Sequence, residues 1–167
     1  MNEANSTIVI GIDPGFDRLG WAVGMIENRA VSVIEFGCIT PKPSPDYFSR
    51  LSELQREFSR LLEKYKPSVA VIETLFFSKN KTSAMAVSES RGIVIGRLLA
   101  TNCTIHEYNP NTIKATVTGS GTASKAAVTK MVVLQTGISA KGHHDDAIDA
   151  VAILLTHAIL SGTRHLA

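Results

Sequence analysis

The sequence has 167 residues, of which 44% are hydrophobic and 19% are charged, and its formal net charge is +2 at pH 7. This length fits one domain with a sizeable core, and the composition excludes a disordered chain. An integral membrane protein is also excluded, because no apolar run reaches the roughly 18 residues that a membrane-spanning helix needs.

Three β-rich apolar runs open the chain, joined by short links that contain Gly, Asp or Asn. We expect strands over Thr7–Ile12, Leu19–Ile26 and Val31–Thr40. Consecutive strands with such short links form an antiparallel meander. The first strand runs into Asp13-Pro14-Gly15, so a carboxylate stands at the strand end, directly before a turn.

A helical pattern follows the proline-rich segment Pro41–Pro45. Apolar residues recur at helical spacing through Tyr47–Tyr65, with charges between them, which predicts an amphipathic helix. A short buried strand over Val69–Glu73 comes next and again ends in a carboxylate. The segment after it predicts a second helix that ends near Ala100.

The rest of the chain predicts a fifth strand over Cys103–Asn109 and helices over Asn111–Thr118, Ser124–Gln135 and residues 145–162. The last helix is apolar nearly all round, which indicates that it packs against the sheet. Hairpins pair antiparallel, whereas strand-helix-strand units need parallel crossovers. We therefore expect an α/β protein with a five-stranded mixed sheet and helices on both faces, the layout of the ribonuclease H-like fold.

The two cysteines, Cys38 and Cys103, lie in apolar runs without a neighbouring cysteine or a close histidine. We expect both to be core residues of a protein in a reducing compartment. Residues 1–6 lack the basic and apolar regions of a leader peptide, so we expect the protein to be cytoplasmic.

Basic residues are concentrated in the middle of the chain. Residues 90–136 contain several lysines and arginines but one acidic residue, Glu107. Such a bias is compatible with a nucleic-acid surface and equally with ordinary solvated lysines. Arg91 within this region either contacts phosphate or pairs with a glutamate, Glu89 or Glu107.

Acidic residues end two strands and begin the last helix. Asp13 and Glu73 close strands that lie side by side and parallel in sheets of this topology, so their carboxylates would share one edge. Asp146 and Asp149 are three apart and project from one helix face, and Asp145 is a spare acid. Clustered carboxylates repel unless cations bind, and oxygen ligands suit Mg²⁺ or Mn²⁺. Taken singly, each acid also fits a turn, a strand end or a helix start.

Several blocks of the sequence, in this order, resemble the RuvC-type Holliday-junction resolvases, which are crossover junction endodeoxyribonucleases. They are "IGIDPG" with "GWAV", "VIETLFF", "SRG", "KATVTGSGTASK" and "DDAIDAVAI". The resemblance covers roughly Ile8 to His157, and we expect one nuclease domain of this type over residues 1–167, with flexible ends at 1–6 and 162–167. It implies a homodimer that cuts two opposed strands of a four-way DNA junction in recombination and repair, with a branch-migration motor complex as partner.

The resemblance also implies the catalytic groups. Asp13, Glu73, Asp146 and Asp149 match the family's four acidic metal ligands, which hold Mg²⁺ for hydrolysis of one phosphodiester per strand. Two ions per site are implied, with Mn²⁺ as a substitute.

Three further matches concern DNA contacts. Phe76 matches an aromatic that stacks on an unpaired base at the junction centre, and Lys114 and Lys125 match lysines that meet the DNA backbone near the scissile phosphate. Core packing for Phe76 and a solvated surface for the lysines are the alternatives. His143 and His144 are candidate auxiliary groups for metal ligation or proton transfer, or else part of a polar loop before the helix.

Three other functions are alternatives to the resolvase. An ATPase of the actin and sugar-kinase group needs a second domain and further glycine-rich phosphate loops, which this chain lacks. A catalytically silent junction-binding protein would lack one of the acids, and all four are present. A ribonuclease H-like nuclease acting on another substrate, RNA or single-stranded DNA, is compatible with the charge and spacing.

Overall fold

The computed structural model describes residues 6–28, 30–75 and 81–161, with side chains from residue 84 onward in the last range. The ends expected to be flexible lie outside the described residues, except for Ser6. The described strands are β1 (Thr7–Asp13), β2 (Leu19–Glu27), β3 (Ala30–Ile39), β4 (Val69–Glu73) and β5 (Thr104–Tyr108). The described helices are α1 (Tyr47–Tyr65), α2 (Lys81–Ala100), α3 (Pro110–Thr118), α4 (Lys125–Thr136) and α5 (Asp145–Ser161).

The five strands form one mixed sheet in the order β3-β2-β1-β4-β5. The first three strands pair antiparallel, which confirms the meander, whereas β1 and β4, and β4 and β5, pair parallel. Ile12 pairs with Ile72 across the β1–β4 ladder. The next residue of each strand is a carboxylate, Asp13 or Glu73, so both carboxylates lie at the same edge of the sheet.

Helices cover both faces of the sheet and bury a separate core on each. One core lies under α1 and α2, and the other lies under α3, α4 and α5. Successive residues of a strand point to opposite faces, so Val9 and Asp13 of β1 lie on the α5 face. The same holds for Val71 and Glu73 of β4. The alternation therefore turns both strand carboxylates towards α5.

Two glycines let α5 lie directly on the strands. A Cβ atom on Gly11 would stand 2.5 Å from the carbonyl oxygen of Ala150, and one on Gly20 would stand 2.0 Å from that of Asp146. No side chain fits at such distances. Because Gly20 also pairs with Asp13, the first turn of α5 rests beside the end of β1.

The cysteines differ in burial. Cys103 is buried, as predicted, but Cys38 is only half-buried, so the expectation of a core residue was wrong for Cys38. It pairs with Gly20 and lies near the start of α5, where burial and the charge of Asp146 raise the pKa of its thiol to about 11. Within the described ranges, no helix is long and apolar enough to cross a bilayer.

Candidate active site

Three elements carry the four predicted acidic ligands to one edge of the sheet. Asp13 ends β1, Glu73 ends β4, and Asp146 and Asp149 lie in the first two turns of α5. The negative charges of the other three all raise the pKa of Asp13, so each of them lies within electrostatic reach of Asp13. The structure therefore brings together groups that are up to 136 positions apart in the sequence.

The cluster carries more negative charge than its surroundings balance. Burial, together with the negative charges of Glu73, Asp149 and Asp146, raises the pKa of Asp13 to about 8. Burial likewise raises the pKa of Glu73 and of Asp149. Buried carboxylates that repel one another favour the binding of protons or metal cations, since either removes the repulsion.

Two basic side chains contact the acids of α5. The Nζ atom of Lys125 lies 2.9 Å from Oδ2 of Asp149 and 3.5 Å from Oδ2 of Asp145. Burial opposes the charge of Lys125, but its hydrogen bond to Asp149 raises the pKa of the ammonium group overall. Arg18 donates a hydrogen bond from Nε to Oδ2 of Asp146 over 2.8 Å. Each helix carboxylate of the predicted ligand set thus has its own basic partner.

The donor set suits a hard divalent cation, although the ligands do not stand ready in one group. Among the described residues, no three of His, Cys, Asp and Glu are close enough together to hold a metal ion. Asp146 and Asp149 are instead turned to Arg18 and Lys125. The four predicted ligands nevertheless supply only oxygen atoms and an excess of negative charge, which are the preferences of Mg²⁺ and Mn²⁺.

A cavity of about 290 Å³ adjoins the carboxylates. Glu73 and Asp149 line it together with Lys114 and Lys125, and its other lining residues are apolar or Pro110. Lys114 comes from α3, whereas Lys125 is the first residue of α4, a helix capped by the Ser124 hydroxyl. Lys114 and Lys125 therefore line the same cavity as two of the predicted ligands. This placement favours the predicted DNA contact over the alternative of a solvated surface.

The other residues that the sequence suggested for the site make no contact with the carboxylates among the described residues. Phe76 lies outside the described residues. The ring of His143 packs against Phe36 of β3 with centroids 4.4 Å apart, and His144 is exposed at the start of α5. Arg91 forms an ion pair with Glu107 of β5, which was one of the partners left open.

Sequence reasoning missed Arg18 and the two glycines of the α5 contact. The partner of Arg18 is 128 positions away, so no local pattern announces the contact. Gly11 gave a weak signal of this contact, because a glycine inside an apolar strand often marks the close approach of another part of the backbone.

Comparisons with known proteins show what this chain is similar to in sequence and fold. The profile of the family described as "Crossover junction endodeoxyribonuclease RuvC" matches residues 9–157. A protein of that name from Brachyspira hyodysenteriae is 44% identical over 151 residues, which cover 90% of this chain and 93% of that protein. One from Treponema denticola is 42% identical over 148 residues, covering 89% and 83%.

A solved structure is also similar over nearly the whole chain. It is described as T. thermophilus RuvC in complex with Holliday junction substrate, and it superposes with a TM-score of 0.85 at 25% sequence identity. The superposition covers 94% of this chain and 96% of that chain.

Proposed function

Because this chain belongs to the RuvC family of crossover junction endodeoxyribonucleases, we propose that it resolves four-way (Holliday) DNA junctions by metal-dependent hydrolysis of phosphodiester bonds. The observation that carries this function is the meeting of four carboxylates at one sheet edge, beside a cavity that holds two lysines. A family relative was solved with a Holliday junction substrate, and its fold matches this one closely.

The four acids are the proposed ligands of two Mg²⁺ ions per site, with Mn²⁺ as a substitute; they are Asp13, Glu73, Asp146 and Asp149. Such ions, when bound, supply an activated water and neutralise charge on the reacting phosphate. The chain supplies rigid placement. Neighbouring parallel strands fix the backbone of two ligands, and a helix packed on glycines fixes the backbone of the other two. Assembly of the site then requires the side chains of Asp146 and Asp149 to turn from their basic partners.

Lys114 and Lys125 are the proposed contacts to the DNA backbone at the scissile phosphate. Negative charge develops on the phosphate oxygens as the bond to the leaving oxygen breaks, and preorganised ammonium groups stabilise it. The charges of both lysines oppose the rise in the pKa of Glu73, which supports their placement beside the proposed ligands. Phe76 remains the proposed residue for stacking on an unpaired base.

The assembly that follows is a homodimer whose two sites cut opposed strands symmetrically. The products would be nicks with 5′-phosphate and 3′-hydroxyl ends, which a ligase can seal. Each chain forms one nuclease domain and works with a branch-migration motor complex in recombination and repair. A cytoplasmic setting is supported by Cys38 and Cys103, which are both unpaired.

The proposed function is tested with labelled substrates of one sequence: a four-way junction, a linear duplex, a single strand and an RNA–DNA hybrid. We expect paired nicks in the junction with Mg²⁺, no nicks with EDTA, and no comparable cleavage of the other substrates. Tight junction binding without nicks under Mg²⁺ or Mn²⁺ would instead indicate a binding protein. Preferred cleavage of the hybrid or the single strand would mean that the substrate is a different one.

A further inference from the structure

The loop between β1 and β2 (residues 14–18, the β1–β2 loop) is fastened from the face of the sheet opposite α5. The fully buried hydroxyl of Ser90 in α2 donates to the carbonyl oxygen of Gly15 over 2.9 Å. The ring of Phe16 stacks on Tyr47 of α1 with centroids 4.9 Å apart. The loop that follows Asp13 is therefore held by two helices before it reaches Arg18.

A further residue of α1 completes this attachment. The Arg50 guanidinium lies 4.2 Å from the centre of the Phe16 ring and 2.8 Å from Oδ1 of Asp17. Arg18 comes next in the chain and turns to the other face, where it contacts Asp146. Its backbone is thus set by contacts that do not involve the carboxylate cluster.

The contact between Arg18 and Asp146 is suited to exchange. The two side chains are 46% and 30% exposed, and ion pairs at such exposure contribute little to stability. A divalent cation held by Asp146 would need the same carboxylate and would repel the guanidinium. Arginine binds phosphate oxygens with the same fork of N–H donors that it offers a carboxylate.

Arg18 approaches the acids from a different side than the lysines do. Lys114 and Lys125 line the cavity, whereas Arg18 is not among its lining residues. Arg18 lies instead towards β3, where its charge reaches the Cys38 thiol. A phosphate bound by Arg18 would therefore be a neighbour of the scissile phosphate along the strand and not the scissile phosphate itself.

We propose that Arg18 is a positioning residue that holds Asp146 in the resting protein and exchanges it for a backbone phosphate when a cation and the junction bind. This proposal rests on the proposed function, since it requires both ligands at this edge. In the resting protein Arg18 offsets the charge of Asp146. In the loaded site Asp146 is free for the cation, and the charge of Arg18 faces DNA.

The test uses the variant Arg18→Gln, with Arg56→Gln as the matched control. Arg56 lies on α1, is 55% exposed and pairs with the adjacent Glu57, so its loss changes the net charge equally. Calorimetric titration of the DNA-free proteins with Mn²⁺ should show two- to fivefold tighter binding by Arg18→Gln, the range expected when an exposed ionic competitor is removed. The control should bind Mn²⁺ like the wild type.

Junction binding supplies the second readout, measured by fluorescence anisotropy at several salt concentrations with Ca²⁺, which also takes oxygen ligands, as the bound cation. Arg18→Gln should bind the four-way junction about five- to tenfold more weakly, and its slope of log affinity against log salt should shrink by about 1, the value for one lost phosphate contact. Arg18→Lys keeps the positive charge but loses the paired N–H donors of the guanidinium, so its junction affinity should lie between those of the wild type and Arg18→Gln. The control should match the wild type.

Each deviation has a distinct meaning. Weaker Mn²⁺ binding by Arg18→Gln would show that Arg18 supports the ligand set and does not compete with the cation, which overturns the exchange. If junction affinity and salt slope were unchanged in Arg18→Gln, Arg18 would not contact a phosphate, and this part of the proposal would be wrong. If the wild type itself bound neither Mn²⁺ nor the junction, the proposed function would fail, and this outcome is separate from a failure of Arg18 alone.

Discussion

Replacing Asp13 by asparagine is expected to lower junction cleavage by at least about 10³-fold, equivalent to ~4 kcal/mol of transition-state stabilisation. Asparagine keeps the size of the side chain but removes a charge from the centre of the ligand set. Junction binding should be retained or tightened, because a carboxylate that repels phosphate is lost. Single-turnover cleavage with Mg²⁺ and anisotropy titration with the same junction measure the two quantities side by side.

The matched control is Glu63→Gln, which also replaces a carboxylate by an amide. Glu63 is exposed on α1, which covers the face of the sheet opposite α5, so cleavage should stay within about twofold of the wild type. If Asp13→Asn lost binding together with cleavage, Asp13 would have a structural role. If it cleaved at the wild-type rate, the ligand assignment would be wrong.

The metal-free protein is expected to lose stability through Asp13 as the pH rises from about 5 to about 8. The pKa of Asp13 rises from 3.8 to about 8 in the folded protein, so over this interval the folded state holds a proton that the unfolded state has released. Stability therefore falls with increasing pH, by up to about 1.4 kcal/mol per pH unit for this group. The contribution is fully present below pH ~4 and is lost as the pH passes ~8.

Urea unfolding of wild type and Asp13→Asn in EDTA isolates this effect, because all other groups titrate in both proteins. Between pH 5 and pH 8, the free energy of unfolding of the variant should rise relative to that of the wild type by several kcal/mol. Saturating Mg²⁺ should reduce the gain, since a bound cation stabilises the ionised carboxylate in the folded state only. A difference that stays flat over this interval would mean that the Asp13 carboxyl is not buried among like charges.

Local pattern was sufficient for the elements and for much of the sheet. The three short-linked β-rich runs predicted the antiparallel meander, and the strand-helix-strand order predicted the parallel crossover from β4 through α2 to β5. Helix ends moved by a residue or two because caps decide them: Asn109 caps α3, with Pro110 as the first helical residue. These features depend on residues close in sequence, which is why the sequence alone predicts them.

The site was predicted only as far as strand ends and helix faces could indicate it. Asp13 and Glu73 follow from strand polarity, and the pair on α5 follows from its spacing. The turning of Asp146 to Arg18 depends on how closely α5 approaches the sheet at Gly20, which is a contact between distant parts of the chain. The half-exposed Cys38 was missed for the same reason, since its neighbour is the start of α5.

Paired cleavage of a single junction is tested most directly with a supercoiled plasmid that extrudes a cruciform, which is itself a four-way junction. A first nick releases the supercoiling and lets the cruciform be reabsorbed, so linear plasmid forms only when both strands are cut in one binding event. We expect linear plasmid with ligatable nicks in Mg²⁺ and intact supercoiled plasmid in EDTA. Nicked circles without linear product, or no cleavage in Mg²⁺, would contradict resolution by two coupled sites.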